Sequence, residues 1–149
     1  MIIIVDANIV FSGILNTNGK IGDILISSDQ LFNFIAPDFL RLEIFKHYKK
    51  LAKISGMTRQ QLRESESQIT KNITFISEEQ INEGAWKEAH ELVADVDPKD
   101  IHYIAFALHF NCALWSGDKS LVKGVTKKGF TSFISTEDIF QIKNKKPDF

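Results

Sequence analysis

Four carboxylates in this sequence stand where a side chain can do chemistry. Asp6 directly follows the apolar run Ile2 to Val5, Glu43 lies inside an apolar helical stretch, Asp100 heads the segment IHYIAFAL, and Asp118 follows ALWSG. An Asp just past a buried strand is costly to desolvate unless it is paired, hydrogen-bonded or holding a cation. The competing role is a helix N-cap, because Asp is favoured where a strand turns into a helix. Taken singly, Asp6 and Asp118 fit both roles equally well. Asp100, with Asp95 and Asp97 just before it, fits the cap better, since Asp-Pro-x-Asp ahead of an apolar helix is ordinary N-terminal chemistry. Glu43 is mid-helix, between Leu42 and Ile44, where no terminus explains it; alone it reads as a solvated residue beside Lys46, His47 and Lys50. Together the four read differently. If the helix packs over the strand ends, Glu43 reaches the space that Asp6, Asp100 and Asp118 enclose. That makes an all-oxygen cluster suited to Mg²⁺ or Mn²⁺, with metal–oxygen distances of about 2.0–2.1 Å. Without such an ion the four would repel one another.

The elements that must position these residues follow from the apolar pattern. Ile2 to Val5 reads as a strand buried on both faces, as in parallel sheets covered by helices. Ile21 to Ile26 is a short helix behind the Asn16–Gly19 turn cluster, Leu31 to Ala36 a second strand, and Pro37-Asp38 opens a helix from Phe39 to Lys53 that Gly56 closes. Thr58 to Gln61 and Ser77 to Gln80 are capping-box sequences, each opening a helix, with a strand at Ile73 to Ile76 between them. After Asp97-Pro98 the pattern predicts a helix from Asp100 to Phe110, a strand from Ala113 to Ser116, a helical turn from Lys119 to Lys123, a strand from Phe130 to Ile134, and a last short helix capped at Thr136 to Asp138. A charged, frayed tail begins at Lys143. Strands alternating with helices predict an α/β fold with a central, mostly parallel sheet. In such sheets ligands bind beyond the carboxyl ends of the strands, where Asp6 and Asp118 are expected.

Composition sets bounds on this reading. A chain of 149 residues, 44% of them hydrophobic, is the size of one domain with one core. Eighteen basic and nineteen acidic residues give a net charge of −1, without the positive field that marks most nucleic-acid binders. Cys112 is the single cysteine, so no intramolecular disulfide can form. MIIIVDANIV has no basic leader-like region, and no apolar run approaches the ~20 residues that cross a bilayer, so a cytoplasmic protein without a membrane partner is expected. Twelve phenylalanines point to a dry, phenylalanine-rich core; Phe106, Phe110, Phe130 and Phe133 fall in the apolar runs and fit core packing better than base stacking.

IIIVDANIVFSGIL, the acid within LRLEIFKHYKKL, DPKDIHYIAFAL and ALWSGDKSL, in that order and across nearly the whole chain, resemble the PIN domain, the fold of VapC-like toxin ribonucleases. The resemblance implies a three-layer α/β/α domain over residues 1–142, followed by a charged tail over 143–149. It places the family's metal-binding acids on Asp6, Glu43, Asp100 and Asp118, with Asp97 ranked below Asp100 as a further metal ligand. Asn8 and Ser116 match the polar residues that orient such ligands. The implied activity is Mg²⁺- or Mn²⁺-dependent endonucleolytic hydrolysis of single-stranded RNA or exposed loops, leaving a 5′-phosphate. A small antitoxin that masks the acidic pocket, and a homodimer, are the implied protein partners. Lys119 and Lys123, with Lys127 and Lys128 beyond, are placed to hold the RNA backbone, although each lysine alone reads as solvated surface.

Other chemistries fit less well. His102 and His109 share a helix face with Cys112 beyond, but the spacing matches no zinc site, and His90-Glu91 lacks the second histidine of a zinc-protease helix. Gly117 alone makes no phosphate loop, and Ser12 and Ser116 have no histidine in a nucleophile motif. A haloacid dehalogenase-like phosphatase using Asp6 as nucleophile would explain the first strand and SGD, but the acid expected two residues later is Asn8, and Glu43 would have no part. A receiver-type domain needs an Asp after a central strand, where Ser77 stands instead. An inactive PIN-fold binding module is weakened by the presence of all four acids. Setting those four aside leaves fifteen acids against eighteen bases, so an acidic pocket with a modestly basic surround is compatible with a nucleic-acid substrate.

Overall fold

The computed structural model describes residues 1–145. Its elements run β1 (Ile2–Val5), α1 (Ala7–Leu15), α2 (Lys20–Ser27), β2 (Asn33–Pro37), α3 (Phe39–Lys46), α4 (Tyr48–Ser55), α5 (Arg59–Thr70), β3 (Ile73–Ile76), α6 (Glu83–Val93), α7 (Ile101–Phe110), β4 (Ala113–Trp115), α8 (Lys119–Thr126), β5 (Phe133–Ile134) and α9 (Thr136–Asn144). The strands form one sheet in the order β3-β2-β1-β4-β5, and every pairing is parallel. β1 is central and lies between β2, which follows it in the chain, and β4, which comes much later. The chain therefore reverses its direction of winding at β1, where the carboxyl ends of β1 and β4 leave a crevice.

Alternation along the strands divides the core. Ile3 and Val5 pack with Phe34, Ala36 and Trp115 beneath α1, α2, α3, α4, α5 and α9. Ile4, Ile35 and Leu114 face α6, α7 and α8 on the other side. Ile3, Ile4 and Val5 are wholly buried, as the unbroken apolar run requires. The result is the expected three-layer α/β/α architecture, with the sheet entirely parallel.

Several local readings change. The helix expected from Phe39 to Lys53 breaks at His47, whose backbone N–H is shared among the carbonyls of Glu43, Ile44 and Phe45, while its ring Nδ1 lies 2.8 Å from the Glu43 carbonyl oxygen. With φ −98° and ψ 7°, His47 leaves the helical region, and α4 starts afresh at Tyr48 before ending at the left-handed Gly56. The capping box at Thr58 and Gln61 forms in full. At Ser77 it opens only the 3₁₀ turn Glu78–Gln80, since the Ser77 hydroxyl accepts the Glu79 N–H and not that of Gln80; Glu78 accepts the Phe39 N–H at 2.8 Å, and the true cap of α6 is Asn82. β2 begins two residues later than expected, since Leu31 and Phe32 are still bonded back to Ser28. β5 shrinks to two residues because the Phe130 N–H closes α8 on the Val125 carbonyl. α8 is correspondingly longer than the single turn expected from Lys119 to Lys123. The frayed tail does not start at Lys143, which lies in α9 with its ammonium 2.8 Å from Asp23. Residues 146–149 of that tail lie outside the described residues.

Candidate metal centre

Asp6 caps α1, its Oδ1 accepting the Ile9 N–H at 3.0 Å, and Asp118 caps α8 in the same way through the Leu121 N–H at 3.1 Å. The choice between cap and ligand is therefore not exclusive: each carboxylate has two oxygens, and capping uses one. Ser116 stands beside both acids: its Oγ accepts the Asp118 N–H at 3.1 Å, and its hydroxyl favours the charged form of Asp6. The cap reading fails for Asp100, whose side chain makes no capping bond to α7. That duty falls to Asp97, whose Oδ1 accepts the Lys99 N–H at 3.1 Å and which opens the 3₁₀ turn Pro98–Asp100.

These residues meet in one cleft. A cavity of about 200 Å³ at the carboxyl ends of β1 and β4 is lined by Asp6, Asn8, Glu43, Asp97, Asp100 and Asp118, among others. Within it, one carboxylate oxygen from each of Asp97, Asp100 and Asp118 lies within 4.8 Å of the others. Asp6 and Glu43 line the same cleft outside that tight group, and the Asn8 backbone favours the charged form of Asp6. Lys119 and Lys123 border a separate cavity of about 690 Å³ that begins at Ser116 and Gly117, along with Lys127. Lys128 does not belong to this group: its ammonium is paired with Asp95 and the carbonyls of Glu91 and Leu92.

The electrostatics follow from crowding acids under a protein wall. Asp6 is only 4% exposed, and burial, reinforced by Asp118, pushes its carboxyl up to about 6 despite the hydrogen bonds that favour the charged form. Asp100 rises to about 7 through burial and then the nearby charges of Asp97, Asp118 and Asp6. Its Oδ2 is buried and has no hydrogen-bond partner among the described residues. A buried, unpartnered carboxylate oxygen aimed among two more carboxylates is an arrangement that a hard divalent cation satisfies. The donor set is all oxygen, as such an ion prefers.

Residue types alone did not point to three further groups. His47 lines the cleft, with Nδ1 3.7 Å from Glu43 and its ring 5.2 Å from that of Phe11. Its i,i+4 spacing from Glu43 was the available signal. Tyr103, three residues past Asp100 and so on the same face of the chain, is pushed well above the ordinary phenol range by burial and then by Asp6 and Glu43. Phe39 stacks on His102 at 4.1 Å, which accounts for that histidine without zinc, while His109 Nδ1 accepts the Asn82 N–H.

The family model of the PIN domain matches residues 4–139. The chain belongs to the PIN-domain family. PIN domains are nucleases, and the carboxylate cleft stands in this PIN domain where the parallel sheet directs a ligand. Among solved structures, the fold is similar to a chain in the crystal structure of VapBC2 from Rickettsia felis bound to a DNA fragment from their promoter. That match has a TM-score of 0.60 and 14% identity, and covers 91% of this PIN domain and 97% of that chain. No curated protein matches the sequence significantly.

Proposed function

We propose that this PIN domain is a Mg²⁺- or Mn²⁺-dependent endoribonuclease, the toxin of a toxin–antitoxin pair, acting in the cytoplasm as a single domain over residues 1–142. The observation that carries the reading is the unpartnered Asp100 Oδ2 buried beside Asp97 and Asp118. Asp97, Asp100 and Asp118 would hold the cation, with Asp6 and Glu43, which line the same cleft, completing the donor set. When bound, such an ion supplies Lewis-acid charge at a phosphodiester and makes a water more acidic at neutral pH. The caps on α1 and α8 hold one oxygen each of Asp6 and Asp118, and Ser116 braces the turn that carries Asp118, so the acids are oriented before substrate arrives. Tyr103 and Phe39 line the cleft beside the acids. Lys119 and Lys123 lie beside the acids on the α8 side, where they can neutralise phosphates flanking the scissile bond. No side chain serves as nucleophile in this scheme.

A small antitoxin covering the cleft is the protein partner proposed, and a homodimer is the second protein contact. The test is hydrolysis of a panel of RNAs and a generic phosphomonoester, with Mn²⁺ or EDTA, by the wild type, Asp6→Asn and Asp118→Asn. RNA cleavage that needs Mn²⁺ and is lost in both variants is the expected result. Cleavage that persists in both would overturn the assignment, and turnover of the monoester alone would point to a phosphatase.

A further inference from the structure

All three arginines of the chain, Arg41, Arg59 and Arg63, line one cavity of about 380 Å³ between α3, α4 and α5, together with Phe45, Tyr48 and Glu66. Arg41 lies over the Phe75 ring, its guanidinium carbon 3.8 Å from the ring centroid, and donates no side-chain hydrogen bond among the described residues. Arg59 and Arg63 stand four apart on the exposed face of α5, a spacing at which like charges repel. Glu66 is the one carboxylate in the cavity, and its Oε1 already accepts the Tyr48 hydroxyl at 2.6 Å. Among the described residues no salt bridge or side-chain hydrogen bond engages any of the three guanidinium groups. Three planar donors with no internal partner, set between two aromatic rings, form a receptor for carboxylates or phosphates.

The surroundings decide between these anions. Leu42 and Phe45, 58% and 74% exposed, project from the same outer face of α3, and arginine, tyrosine and phenylalanine are the residues that dominate protein interfaces. Beyond Arg41 a second cavity opens on Asp38, Leu42, Glu78 and His102. A track leaving the arginine cavity along α3 thus passes from cationic to apolar to anionic. A nucleic-acid strand repeats the same charge at every step and would be repelled at Asp38 and Glu78. A polypeptide segment need not repeat its charge.

We propose that the α3–α5 arginine cavity is the docking site for a partner polypeptide segment in which Asp or Glu side chains alternate with large apolar ones. The carboxylates engage Arg41, Arg59 and Arg63, and the apolar side chains cover Leu42 and Phe45. This assignment does not rest on the nuclease reading of the carboxylate cleft. The test is selection of a displayed library of random 12-residue peptides on the immobilised full chain. Counter-selection uses Arg41→Gln/Arg59→Gln/Arg63→Gln and, because Arg41 also packs on Phe75, separately Arg59→Gln/Arg63→Gln; circular dichroism checks that both are folded. The expected result is a wild-type-dependent pool enriched in Asp and Glu interleaved with Leu, Ile and Phe. Members of that pool should bind at least tenfold more weakly to either variant and to Phe45→Ser. No wild-type-dependent enrichment, or a pool without acidic bias, overturns the proposal. So does loss of single-stranded oligouridylate binding in the arginine variants on an Asp6→Asn background without peptide enrichment, which would assign the cavity to nucleic acid.

Discussion

Asp6 and Asp118 are fixed by the helices they cap, whereas Asp100 caps nothing and has an oxygen with no partner among the described residues. Both arrangements bring carboxylates to the same cleft, but they bear on stability in opposite ways. The strand-end pair contributes to the fold through its caps. Asp100 sits beside Asp97, which holds only a short 3₁₀ turn, and adds charge that the unliganded protein must tolerate. The same residue type therefore does two jobs in one region and a single, costly one in the other, which is the pattern expected where binding outweighs stability.

The largest effect should fall on activity and should not distinguish the two regions. Asp100→Asn and Asp118→Asn should each lower Mn²⁺-dependent RNA cleavage by more than about 100-fold, above the 10–100-fold that a supporting residue costs. EDTA should have the same effect on the wild type, read by gel assay of a labelled RNA. Ser116→Ala should fall within that 10–100-fold range and respond to higher Mn²⁺, because it loosens the turn that carries Asp118 without removing any acid. If added Mn²⁺ restores nothing, this positioning role is wrong.

Stability should then separate the regions. Asp118→Ala loses a cap and should cost about 1 kcal/mol, whereas Asp118→Asn keeps a good capping residue and should cost much less. Asp100→Asn should instead raise the melting temperature in EDTA, by relieving repulsion from Asp97, Asp118 and Asp6. Urea unfolding of the three variants without divalent ions makes the comparison, and equal destabilisation by Asp100→Asn and Asp118→Ala would erase it.

A smaller effect concerns pH. Asp6 and Asp100 have carboxyls raised in the folded state to about 6 and about 7, from an ordinary 3.8, so the folded protein binds protons that the unfolded chain releases. Their contribution to stability is fully present below about pH 3.8 and is lost as the pH rises through 6 and 7. Between pH 5 and pH 8 in EDTA the melting temperature should fall, and Asp100→Asn should flatten that fall. The smallest effect belongs to the α8 side: replacing Lys119 or Lys123 by Gln should weaken RNA binding uniformly across sequences and reduce the salt slope by about 0.7 each.

Much of this was legible in the sequence because burial on both faces leaves an unambiguous apolar run at β1, and because acids directly after such runs have few ways to be tolerated. The break at His47 was not legible: the apolar periodicity continues through it, and the competition of the ring for the Glu43 carbonyl depends on a rotamer. Nor was the exchange of roles between Asp97 and Asp100. Both acids stand around Pro98 in a pattern typical of a helix start, and only the 3₁₀ turn determines that Asp97 caps while also lining the cleft, whereas Asp100 caps nothing. The arginine cavity was invisible for a related reason, since Arg41 lies far in sequence from Arg59 and Arg63 and only the fold of α3 back toward α5 joins them.

The strand order has a consequence for synthesis. β1 is made first, yet its second neighbour is β4, and Asp118 follows only after that strand. A chain growing from the ribosome carries Asp6 and Glu43 long before it carries Asp97, Asp100 and Asp118, so the acid cluster is assembled only once at least 118 residues have been translated and β4 has docked. Chains truncated anywhere before β4 carry most of the helices of both layers but cannot close the acid cluster. Timing of translation, through the late return to β1, is thereby built into when that cluster can first form.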